Sequence, residues 1–86
     1  MHTATIRAGY DSVEIEFGIE SQHYQGPIVT NLLGIAGVQS VVKQPRSMTT
    51  YIVTPNQGTD ARQLVPRIEE TLRAIFVNVP FTIKSA

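Results

Sequence analysis

The sequence predicts a small α+β domain with the element order β-α-β-β-α-β. Three observations lead there. Val13, Ile15, Phe17 and Ile19 alternate with Glu14, Glu16, Gly18 and Glu20, the period of a strand that buries one face. Residues 26–42 read as a short helix that stops at a glycine, followed at once by an apolar strand. Ala61, Leu64, Val65, Ile68, Leu72 and Ile75 then recur at helical spacing, which gives a second, longer helix.

Taken in order, residues 3–8 have the composition of a short strand, and Gly9-Tyr10-Asp11-Ser12 that of a turn. The strand at 13–20 carries its carboxylates on one face. Residues 20–25 are polar and aperiodic, hence a loop. Pro27 suits the first turn of the first helix, where its missing N–H has no partner to lose, and Gly37 suits a left-handed C-terminal cap. Between them Ile28, Leu32 and Ile35 keep one stripe, and Gly34 is expected to let the helix approach a sheet closely. Residues 38–43 and 48–54 are the next two strands, separated by Gln44-Pro45-Arg46-Ser47, and the second is rich in Thr, Tyr, Ile and Val. Thr59 or Asp60 caps the second helix, where Glu69 and Arg73 pair at i, i+4. Pro66 either starts that helix or kinks it. Val79, Phe81 and Ile83 form the last strand, which Pro80 marks as an edge.

Residues 1–86 make one domain with a single modest core. This order fits the ferredoxin-like arrangement, a four-stranded antiparallel sheet with both helices on one face. The strand at 13–20 is then central, with Glu14 and Glu16 on the open face and Lys84 as a neighbour. The two edges are residues 38–43, with three valines, and the strand with Pro80 and Lys84.

Composition narrows the function. Seven basic and seven acidic residues cancel, and the outward positions of the central strand are glutamates, so neither a basic face nor an aromatic platform for nucleic acid is expected. Cysteine is absent, which excludes disulfides, thiolate metal sites and cysteine nucleophiles within these residues. No apolar run approaches the roughly 20 residues of a membrane span. With no secretory signal pattern either, the expected location is cytoplasmic. One histidine and one carboxylate in the 20–25 loop fall short of the three or four ligands of a metal site, so no cofactor is expected. No glycine-rich phosphate loop or nucleophile–base pattern is present, and the expectation is a non-catalytic domain. One cluster remains. Glu20, His23, Tyr24 and Arg46 lie on two loops that should emerge at the same end of the sheet, a candidate anchor for a small anion or a partner's acidic group.

Leu33-Gly34-Ile35-Ala36-Gly37-Val38-Gln39-Ser40-Val41 resembles the Leu-x-Ile-x-Gly-Val-x-x-Val segment of two families. These are the heavy-metal-associated domains and the amino-terminal domain of Nfu/NifU-type iron–sulfur scaffold proteins. Leu64-Val65-Pro66-Arg67-Ile68 also resembles the Leu-x-Pro-x-Ile of the latter's second helix. The metal-carrier cysteine pair and the scaffold domain's characteristic tryptophan are missing here, and the cluster-ligating Cys-x-x-Cys belongs to a separate domain. The resemblance therefore implies the fold and an accessory role, without cluster binding. The expected function is a protein-interaction or assembly accessory domain that binds a protein partner or a second copy. The alternative is a regulatory small-molecule or anion-binding domain using the 20–25 and 44–47 loops.

Overall fold

A computed structural model describes residues 2–85. The alternation at 13–17 becomes strand β2, Val13–Phe17, with Val13, Ile15 and Phe17 buried while Glu14 and Glu16 face outward. The full order is β1 His2–Ala8, β2, a 3-10 helix Ile19–Tyr24, α1 Gln25–Leu33, β3 Val38–Lys43, β4 Thr50–Pro55, α2 Ala61–Ile75 and β5 Phe81–Ser85. The fold is thus α+β with two helices, as expected, but the sheet differs from the four antiparallel strands of the ferredoxin-like expectation. It has five strands in the order β3-β4-β2-β1-β5. It is also mixed, because β5 runs parallel to β1 while the other neighbours are antiparallel.

The fifth strand comes from residues 3–8. Ala4 and Ile6 are buried and stand opposite Phe17 and Ile15, so they extend the core face of β2, while Thr3, Thr5 and Arg7 take the other face. The Gly9 amide donates to the Ser12 carbonyl at 2.9 Å and closes the hairpin. Joined to β2 by so short a turn, β1 takes the slot beside it, and β5 pairs beyond β1. Both expected edges, β3 and β5, are edges. Pro80 precedes β5, and its carbonyl accepts the His2 amide at 3.1 Å. Ile19, expected to end the β2 alternation inside, lies 70% exposed on the 3-10 helix.

α1 is shorter than expected. Pro27 sits in its first turn, Ile28 and Leu32 are buried, and Gly34 is its C-cap with right-handed backbone. Ile35 packs on the core from the following turn. A Cβ on Gly34 would meet only the Asn31 and Thr30 carbonyls of its own helix, so the expected close approach to the sheet is not made. Gly37 is where glycine is required. Its φ is +96°, and a Cβ there would lie 3.3 Å from each of Leu64, Thr59 and Arg67 side chains.

α2 begins at Ala61, with the Asp60 carboxylate accepting from the Arg62 amide at 2.9 Å. Pro66 does not start it but lies inside a continuous helix, the second of the two expected arrangements. The helix runs through, losing the one bond an amide at 66 would have made to the carbonyl of Arg62. Ala61, Leu64, Ile68 and Leu72 are buried against the sheet, and Phe76 closes the same stripe. Glu69 and Arg73 make no ion pair. Among the described residues no helix is long and apolar enough to cross a membrane.

Candidate functional site

The sheet end that carries residues 20–25 and 44–47 forms as expected. The Phe17 amide donates to the Thr49 carbonyl at 3.0 Å, which holds the β3–β4 turn beside the 3-10 helix. Glu20, His23 and Tyr24 ride on that helix rather than on a loop, and Arg46 lies exposed in the turn. Tyr24 turns inward, its ring 5.2 Å from His2 and 4.9 Å from Phe76, while Glu20, His23 and Arg46 stay exposed. His2 is the first residue of β1. Its Nδ1 lies 3.2 Å from the buried Ser21 hydroxyl, and its ring lies 5.1 Å from Phe76. Phe81 stacks on Phe76 at 4.6 Å. Aromatic packing of His2, Tyr24, Phe76 and Phe81 thus fills the inside of this sheet end. No three of the described His, Asp or Glu residues come together as a metal-ligating group.

On the open face of the sheet, Arg7 stands opposite Glu14 in the register and donates to Glu14 at 2.9 Å and Glu16 at 3.0 Å. The bond to Glu16 raises the guanidinium pKa most; desolvation opposes it by less, and the bond to Glu14 with the charges of both carboxylates adds to the rise. Lys84, the expected neighbour of the glutamates, stands opposite Thr5 instead, because β1 intervenes. All three charged side chains of this group are well solvated, so the group is an exposed ion-pair cluster.

The edge strand β3 offers unpaired backbone. The Gln44 amide donates to the Thr50 carbonyl at 2.8 Å. Val42 faces Ile52 and Ser40 faces Thr54 in the same register, so residues 40, 42 and 44 direct their backbone groups into the sheet. Val41 and Lys43 therefore direct their N–H and C=O groups outward. Their side chains point to the helix side, where Val41 packs on the core and the Lys43 ammonium reaches the Ser47 carbonyl at 3.4 Å. Val42 points to the open face and is 57% exposed. A register shift between Val38 and Ser40 blunts only the beginning of the strand.

Two further features lie elsewhere. A groove of about 490 Å³ runs between α1 and α2 past Asn31, Gly34, Arg67 and Glu70. Arg67 donates there to the Ala36 carbonyl at 2.7 Å, tying α2 to the turn after α1. Tyr51 is buried on β4 with a hydroxyl that has no hydrogen-bond partner, and burial raises its phenol pKa. Neither was legible in sequence. Tyr51 reads as an ordinary alternating strand residue, and the groove depends on how the two helices meet.

No protein-family model and no curated protein matches the chain. Among solved structures it is similar to a hypothetical protein from Staphylococcus aureus, with a TM-score of 0.41 at 13% identity over 98% of this chain and 100% of the other.

Proposed function

We propose that the chain is a non-catalytic interaction or assembly module, acting in the cytoplasm, whose working surface is the β3 edge with the adjoining open face. The outward N–H and C=O groups of Val41 and Lys43, beside the exposed Val42 side chain, carry this reading. Such an edge accepts one further strand, whose main chain supplies hydrogen bonds and whose side chains meet Val42. The resemblance of residues 33–41 and 64–68 to the Nfu/NifU amino-terminal domain supports an accessory role in iron–sulfur assembly. It supports no cluster ligation, for which these residues hold no cysteine. Binding of a small anion at the sheet end is the weaker reading, because Tyr24 is committed to the aromatic packing.

The test is affinity capture from the native host with the wild type, Val42→Lys and His23→Ala/Arg46→Ala as baits. A partner held by the wild type and the double variant but lost by Val42→Lys supports the β3 edge. Loss in the double variant alone moves the site to the sheet end and contradicts the proposal.

A further inference from the structure

We infer that the segment added to the β3 edge is β3 of a second copy of this chain, paired antiparallel about a two-fold axis at Val42. The inference rests on the reading of β3 as the working edge and names its occupant.

Self-pairing of an edge strand about a two-fold axis is antiparallel, and only a few registers use the outward groups of Val41 and Lys43. Centring on Lys43 sets the two Lys43 residues directly opposite, like charge against like. It also sets Val41 opposite Pro45, which has no N–H to give. Centring on Val41 sets Lys43 opposite Gln39, inside the register shift between Val38 and Ser40. Centring on Val42 avoids both faults. Val41 of each copy then exchanges N–H···O bonds with Lys43 of the other, and the two Val42 residues form the close, non-hydrogen-bonded pair on the axis.

The side chains agree with that register. Across the open face, Val42 is followed by Ile52, then Glu14, then Arg7. Joining two copies at Val42 therefore places Ile52, Val42, Val42 and Ile52 in one apolar row at the seam. The Arg7–Glu14–Glu16 charges stay on the far side of Ile52 in each copy. A formal net charge of zero leaves no overall repulsion between copies. The outer edges of the joined sheet are the two β5 strands, each carrying the exposed Lys84 and preceded by Pro80, which discourage further addition. The assembly closes as a dimer.

The chain has no cysteine, so a single introduced one is a unique probe. On mild oxidation Val42→Cys is expected to form a covalent dimer, since opposed non-hydrogen-bonded residues have Cα atoms about 4.5 Å apart, within disulfide reach. Ser40→Cys, which would face Gln44 of the second copy, is expected to form no covalent dimer. In sedimentation at high micromolar concentration the wild type is expected as a dimer and Val42→Lys as a folded monomer by circular dichroism. A wild-type monomer, or Ser40→Cys crosslinking as readily as Val42→Cys, overturns the inference. If that monomer still holds a captured partner through Val42, the second copy is refuted and the β3 reading stands. A dimer indifferent to Val42→Lys refutes both.

Discussion

Replacing Phe17 by alanine tests the assignment of the sheet faces. Phe17 is 4% exposed at the end of β2, with Tyr51 edge-on at 5.6 Å and Phe76 at 6.3 Å. Truncating a buried phenylalanine costs about 3–5 kcal/mol, through lost transfer energy and the cavity left behind. Partial collapse of the neighbouring side chains into the space favours the lower end, about 3 kcal/mol. A chain of this length has a total stability of roughly 4–13 kcal/mol, so the variant gives up a large share of it. Urea unfolding followed by circular dichroism reads the loss as a lower midpoint at unchanged slope. The comparison is Glu16→Leu on the opposite face, where the ion pair with Arg7 is solvent-exposed and its loss should cost far less. If Glu16→Leu destabilised more than Phe17→Ala, the faces would be assigned the wrong way round.

Three other outcomes follow from particular residues. Gly37→Ala forces a positive φ and three 3.3 Å contacts on a side chain, and should cost about 1–3 kcal/mol in urea unfolding; an unchanged midpoint would show that the turn before β3 relaxes freely. Tyr51→Phe removes a buried hydroxyl without a partner and should leave stability unchanged or raise it by about 1 kcal/mol at neutral pH. The Tyr51 phenol pKa is raised in the fold, so the unfolded chain ionises first, above about 10. Wild-type stability from this group is full below that pH and falls as pH rises through the folded value, so the advantage of Tyr51→Phe should widen in alkali, and a constant difference would contradict it. Micromolar zinc should leave the melting temperature unchanged at moderate salt; a stoichiometric rise abolished by His23→Ala would contradict the reading of the 3-10 helix.

Sequence pattern carries the parts of this fold that depend on one element burying one face. Val13, Ile15 and Phe17, and Ala61, Leu64, Ile68 and Leu72 of the α2 stripe, are buried as their periods require. The position of β1 is a different kind of fact. Thr3, Thr5 and Arg7 alternate with only two apolar partners, Ala4 and Ile6, and nothing local shows that this segment displaces β5 from β2. That one insertion makes the sheet five-stranded and mixed. It also gives Glu14 and Glu16 their partner in Arg7 rather than Lys84. The candidate cluster was legible as a location, since both segments reach one sheet end. Its chemistry was not, because the inward turn of Tyr24 depends on His2 and Phe76, which arrive from the chain's two ends.

The decisive measurement is residue-resolved amide exchange along β3 at low and high micromolar concentration. At low concentration the Val42 and Gln44 amides, bonded into the sheet, should be protected while those of Val41 and Lys43 exchange freely. Raising the concentration should protect Val41 and Lys43 and leave the β5 amides unchanged. Val41 and Lys43 amides that exchange freely at every concentration, or new protection on β5 instead, would contradict pairing at the β3 edge.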